Sequence, residues 1–431
     1  MNLTATRASI TEKTTFGQVP ANRLADTRTV TWSKGSKSAI ALLIIILSAG
    51  IFLRVWPSTG FHGIGIDEGF YSTYVEMAQK DGIWNYGDVV RAYVESQAKH
   101  KEAVVPATRV GFLIPATIIA NVTKVEPLVA LHYTSLAASI LLLFAGAIIA
   151  FRNGGLRQTL VITSLMAVAP LQIHLAQRGL IDGYFAFWAI LCAWFLWENL
   201  RSPHRTRWLI GYGMSLFALI VTKENAAFVF LALAITTVVF ASCKVGRIRW
   251  PLVLVSVAVP VLAILFLATL VGGIGEWILF YRGFVQKSAS MLYAFHLQDG
   301  PWYRYLVDFT LLSPLIVVLA FGAIFQLRKE STMDIFWAFL LGTSFVLMSV
   351  VPNGMSLRFA AYWDLPLRWL AAAQLFHLND RFPRIKPWIL LCGLVLILAA
   401  VDLFQYWRYF AQGAIYDPVT FHLLRVSKLL K

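Results

Sequence analysis

The apolar residues of this chain are gathered into continuous blocks of about 20, the length a helix needs to cross ~30 Å of hydrocarbon. Nothing else in the sequence restricts the fold as strongly. Blocks able to span fall at 39–56, 127–150, 158–175, 183–199, 208–222, 225–242, 251–272, 306–327, 335–351, 359–376 and 388–407. Of the 431 residues, 58% are hydrophobic and only 14% are charged, where an ordinary soluble domain has about a quarter charged. That balance excludes a soluble enzyme, a disordered chain and a fibrous repeat. The expected fold class is all-α, a polytopic membrane protein with about eleven transmembrane helices.

A twelfth apolar stretch, 107–121, is short, carries Arg109 and contains Pro115. It is either a short span or a helix lying in the interface, and loop charge separates the two. If it does not cross and the N-terminus is cytoplasmic, the cytoplasmic tail and loops hold 19 Lys and Arg against 5 acids, and the outer segments 16 against 13. Crossing would turn most of that cation excess outward, against the positive-inside rule. The expectation is eleven spans, the N-terminus inside and the C-terminus outside, in the plasma (inner) membrane.

The net charge of +15 sits in short loops beside apolar blocks, which reads as topology and contact with anionic membrane lipid, not nucleic acid. Cys192, Cys243 and Cys392 lie far apart, in or beside apolar blocks, and suggest neither a disulfide framework nor a thiolate metal site. Residues 1–38 are polar, rich in Thr and Ser, and read as a disordered cytoplasmic tail before a membrane-embedded domain at 39–407. Residues 408–431 read as a short outer tail.

Two outer segments are long. The first, 57–126, is locally acidic and shows helical periodicity in FYSTYVEMAQKDGIW. The second, 273–305, is rich in aromatics and suits a belt at the headgroup level or a lid over a site. On this topology Asp67 and Glu68, Asp182, Lys223 and Glu224, and Arg358 all come to the outer face. Each has an ordinary structural explanation: a helix cap and first-turn acid, a second cap, a local ion pair, a snorkelling anchor. His174, near the end of the third span, reads as a satisfied interfacial histidine.

Together these groups suit transfer from a lipid-linked phosphate. A carboxylate can act as general base on an acceptor hydroxyl, and cations can hold the leaving phosphate. The rival reading, a transporter or lipid flippase, needs ionisable groups deeper in the membrane, and Asp308, Asp364, Arg368 and Asp402 are such groups.

The chain resembles the membrane glycosyltransferases of the GT-C superfamily, especially the protein O-mannosyltransferase and lipid A aminoarabinose transferase branch. The resemblance covers about 38–376 and is carried by IGIDEGFYSTYVEMAQKDGIW, VVPATRVGFLIPATIIAN, APLQIHLAQRGLIDGYFAFWAIL, GYGMSLFALIVTKENAAFVFLALA and LRFAAYWDLPLRWLAAAQL. It implies interfacial juxtamembrane helices in the first outer loop and a sugar donor on polyprenyl phosphate. The acceptor would be a lipid, glycan or protein, and the sugar a hexose or pentose moved with inversion.

By the same resemblance Asp67 is the base or a metal ligand, Glu68 its partner and Asp182 the second-loop aspartate. Lys223 and Arg358 come near the carrier phosphate, and Glu224, Arg178 and Lys101 complete the candidate binding set. The chain departs from some members at Val104-Val105-Pro106, where they have Glu-Lys-Pro; His100, Lys101 and Glu102 precede it. No cofactor is fixed by the sequence, and a divalent metal on Asp67 and Asp182 is left open.

Overall fold

The computed structural model describes residues 34–56, 64–351, 354–382 and 386–430. Most of the stretch read as a tail therefore lies outside the described residues, and the first helix, Lys34–Val55, starts inside it. Among the described residues the chain is helical and has no strand. Among these residues five helices are long and apolar enough to cross a membrane by themselves, including Lys37–Val55 and Trp250–Val271. Those two are among the most apolar and the least buried, with 11% and 22% of their apolar windows inside the protein. An apolar helix that shows its surface outward is the reverse of a soluble core helix and fits contact with lipid. The fold is that of an all-α polytopic membrane protein.

The long helix Pro127–Ala167 holds two of the expected spans. A straight helix would separate residues 139 and 167 by ~42 Å at 1.5 Å per residue. Both nevertheless meet the Arg54 guanidinium, through Ser139 Oγ at 2.9 Å and the Ala167 carbonyl at 3.0 Å. The chain doubles back at Gly155, whose φ of 68° is open to glycine at little cost. The second of these spans and the one expected at 306–327 are also broken. One stops before Pro170, which opens the short helix Pro170–Ala176, and the other at Ser313, before Pro314.

The ambiguous stretch forms a helix over Val110–Thr123. At 14 residues it is ~21 Å long, short of a hydrocarbon core. Its flanks return to one level: Arg109 pairs with Glu224, and His132, nine residues after Thr123, lies 3.4 Å from Glu68.

Apolar packing divides into a large core among the bundle helices and a smaller one under the first long loop. The smaller core joins Tyr71, Val75, Val90 and Tyr93 to Phe112, Leu113 and Ala116. Helices Ile66–Asp81 and Tyr86–Lys99 thus lie on Val110–Thr123 as a packed cap. The aromatic segment is helical over Ile274–Ala289 and Leu292–Leu297 and rests on this cap, with Phe280 and Tyr93 in edge contact at 5.7 Å.

Candidate active site

Asp67 and Glu68 occupy the first turn of the helix Ile66–Asp81, where carboxylates complement unpaired backbone N–H groups and the helix dipole. Adjacent on one helix, they point to different surroundings. Glu68 is buried and saturated. It accepts from the Gly65 backbone at 2.9 Å, the Gly179 backbone at 2.7 Å and Arg178 at 2.7 Å, with His132 at 3.4 Å. Burial alone would raise its pKa. The His132 hydrogen bond, the Arg178 charge and the two backbone donors outweigh that and bring it down to about 2. With both oxygens engaged, Glu68 pins the first loop to the 178–179 turn.

Asp67 is 27% exposed and accepts from Arg358 Nη1 at 3.0 Å through Oδ2. Its other oxygen has no hydrogen-bond partner among the described residues. Arg358 lies in a tight 3₁₀ turn, Leu357–Trp363, which opens into the helix Asp364–Arg381. The same Nη1 is 3.8 Å from Asp182 Oδ2, and Lys223 donates to Asp182 Oδ1. Lys223 Nζ also sits 4.0 Å over the Phe359 ring. Asp67, Asp182, Lys223 and Arg358, spread over 291 positions of sequence, form one alternating chain of charge.

Each end of this chain lines a cavity. One, of about 650 Å³, is lined by Asp67, Arg178, Arg358, Tyr416 and Asp417, with Ile66, Phe70 and Phe410 among its apolar walls. The other, of about 330 Å³, is lined by Lys223, Glu224 and Arg109 and by apolar Ile220, Val221, Phe230, Pro260 and Leu267. Glu224 is held by Arg109 at 2.9 Å, and Arg109 Nη1 also donates to Tyr71. His100 and Glu102 line the first cavity, whereas Lys101 is exposed and is not among its lining residues.

Two contributors went unread in the sequence, Tyr416 and Asp417, both after the last span. The Tyr416 ring lies against the guanidinium groups of Arg178 and Arg358, at 4.7 and 5.5 Å. It packs so closely on Gly65 that a Cβ there would fall 2.1 Å from the ring. His174 Nε2 donates to the Tyr416 carbonyl at 2.9 Å while its ring stacks on Phe410. The one signal available was Asp417 itself, the single acid in 408–431.

The deeper ionisable residues neutralise one another. Arg368 bonds Asp402 at 2.7 Å and also Asp364, and Asp308 lies 3.8 Å from Arg304. The described residues hold no group of three His, Cys, Asp or Glu side chains placed to bind a metal. Arg358 stands between Asp67 and Asp182, where a guanidinium repels a divalent cation. The donor set there does not fit one.

This fold, helical spans capped by loop helices over a charged pocket, is the GT-C fold. Three solved structures share it. The chain superposes on the apo oligosaccharyltransferase of Archaeoglobus fulgidus with a TM-score of 0.61 at 12% identity, covering 88% of this chain and 56% of that one. For ArnT from Cupriavidus metallidurans bound to undecaprenyl phosphate the TM-score is 0.57 at 14% identity, over 87% and 75%. The archaeal enzyme AglB from A. fulgidus, in complex with an inhibitory peptide and a dolichol-phosphate, gives 0.61 at 12%, over 89% and 57%. The chain thus spans little more than half the length of the oligosaccharyltransferase. No protein-family model matches the chain, and no curated protein does.

Proposed function

We propose that the protein is a glycosyltransferase that moves a sugar from a polyprenyl-phosphate donor to an acceptor hydroxyl at the extracytoplasmic face of the plasma (inner) membrane. The observation that carries this reading is the environment of Asp67. It lines the larger cavity, part exposed, with Oδ2 accepting from Arg358 Nη1 at 3.0 Å and Oδ1 without a hydrogen-bond partner among the described residues. Solved relatives in fold hold undecaprenyl phosphate and dolichol-phosphate, which supports the donor class.

In this reading the apolar smaller cavity takes the start of the polyprenyl tail and the larger one takes the acceptor. The acceptor oxygen attacks the anomeric carbon and the bond from that carbon to the phosphate oxygen breaks. The polyprenyl phosphate leaves, and the acceptor proton passes to Asp67. Direct displacement inverts the sugar. Arg358 and Lys223 face the charge that develops on the leaving phosphate, and Asp182 holds both cations in place. A sugar of hexose or pentose size and a lipid, glycan or protein acceptor complete the reaction.

Asp67→Asn keeps the shape and removes the base. Transfer should fall by about 10²–10⁴ with protein abundance unchanged, measured by mass analysis of envelope glycans and lipids from cells carrying each form. Full transfer by that variant overturns the assignment of the base.

A further inference from the structure

The charged chain described above draws on the first outer loop and on the segments around 182, 223 and 358. The segment after the last span brings one more carboxylate to it. Asp417 is buried, and each of its oxygens accepts two hydrogen bonds. Oδ1 takes Ser356 Oγ at 2.7 Å and Arg358 Nε at 3.1 Å; Oδ2 takes Tyr293 Oη at 2.8 Å and Gln298 Nε2 at 3.3 Å. The aromatic loop, the approach to the 3₁₀ turn and the C-terminal segment are thus tied at one carboxylate. Burial alone would raise its pKa, but the Arg358 charge and the hydrogen bonds from Ser356, Tyr293 and Gln298 outweigh that, so Asp417 is ionised at neutral pH.

A guanidinium offers five donors in a rigid plane, so holding Nε fixes where the other two nitrogens aim. Here Nη1 is directed to Asp67 and Asp182. Nη2 has no hydrogen-bond partner among the described residues. We propose that Asp417 is the positioning residue of Arg358, setting the guanidinium so that Nη2 is presented to a phosphate oxygen of the lipid carrier. This rests on the polyprenyl-phosphate reading above. Asp417 touches no reacting atom and acts through Arg358 alone. Without its partner the Arg358 plane can rotate toward Asp67 and Asp182, and the phosphate loses a preorganised donor.

The test uses undecaprenyl phosphate, without sugar, titrated against the purified full chain in lipid nanodiscs. Arg358→Gln should weaken binding about tenfold or more, in line with the loss of a hydrogen bond to a charged group. Asp417→Asn should weaken it about tenfold, and the double variant should bind no worse than Arg358→Gln, because the two act as one unit. Asp417→Asn at wild-type affinity, or a loss that adds in full to that of Arg358→Gln, overturns the proposal.

If Asp417→Asn fails to fold, Tyr293→Phe replaces it. That variant keeps the charge, removes one of the four bonds and should cost about two- to fourfold, only while Arg358 is present. A loss that persists in the Arg358→Gln background has the same overturning force. Absence of saturable binding to the wild type removes the carrier reading itself, and this inference with it, which separates the two failures.

Discussion

Two adjacent acids at the start of one helix carry different work, and burial separates them. Glu68 is a strut, and its depressed pKa has a consequence for stability. A carboxyl whose folded pKa is below its unfolded value stabilises the fold above the unfolded value and loses that contribution as the pH falls through the folded one. For Glu68 the window runs from the ordinary 4.5 down to about 2, which corresponds to ~3 kcal/mol at 1.36 kcal/mol per unit. Glu68→Gln is therefore expected to lose ~3 kcal/mol at neutral pH and to flatten the decline in melting temperature within that window, read by thermal unfolding in detergent. An unchanged acid profile would refute the strut role. Gly65 matters through contact, since its φ of −70° suits any residue. Gly65→Ala drives a methyl into the Tyr416 ring and should cost ~1–3 kcal/mol, a cost that vanishes in Tyr416→Ala; equal melting shifts in both backgrounds would show the contact to be irrelevant. The acidic pair, Asp182, Lys223 and Arg358 stood out in the sequence because a charge beside an apolar block is costly without a partner. That Glu68 is held on both oxygens was not legible, because its partners lie far off in the sequence, such as Arg178, 110 positions away.

At the level of elements, the places where helices stop matter more than where they run. Arg54 is 1% exposed and hydrogen-bonds to no carboxylate among the described residues. It donates to Ser139 and to the carbonyls of Gly50, Met166 and Ala167, the last two at the C-terminal end of Pro127–Ala167, where helical carbonyls lack intrahelical partners. Arg54 thus holds open the break from which Pro170–Ala176 leads to Arg178 and Gly179. Arg54→Met removes the guanidinium bonds to Ser139 and to the Ala167, Met166 and Gly50 carbonyls, of which Met166 keeps the Ala169 backbone donor, and should lower stability by ~3 kcal/mol or more. Arg54→Lys should recover only part, since an ammonium group cannot fork toward the same set. Melting followed by size-exclusion chromatography reads both, and full recovery with Lys would contradict the fork geometry. The spans themselves were legible because apolar runs are a composition signal. The breaks at Pro170 and Pro314 carried their own marker, and the reversal at Gly155 lies in an Asn-Gly-Gly run. The 3₁₀ turn that presents Arg358 had no such marker. Its residues, LRFAAYW, suit a regular helix, and only packing against the rest of the bundle tightens them.

For the whole molecule, the decisive question is whether Val110–Thr123 stays on one side, because every later loop takes its side from that choice. Loop charge is the argument for that choice, and the pairs Arg109 with Glu224 and His132 with Glu68 tie both flanks of this helix to the charged site. The two ends of the bundle are separated by the helix Ala226–Ser242, which leaves the site beside Glu224 and runs 17 residues, ~25 Å, to Cys243. Cys243 is exposed at that far end, in a loop that also carries Lys244, Arg247 and Arg249, the cation-rich composition of a cytoplasmic loop. Lys101 is exposed at the near end, between two residues that line the larger cavity. A chain with Lys101→Cys and Cys392→Ser therefore has one accessible thiol at each end, with Cys192 buried. An impermeant maleimide applied to intact cells should label position 101 at once and Cys243 only after permeabilisation. Labelling of both from one side would mean that the bundle does not span as described. The reverse order would put Asp67 and Arg358 in the cytoplasm, where the proposed reaction would have to draw its lipid-linked donor from the opposite leaflet.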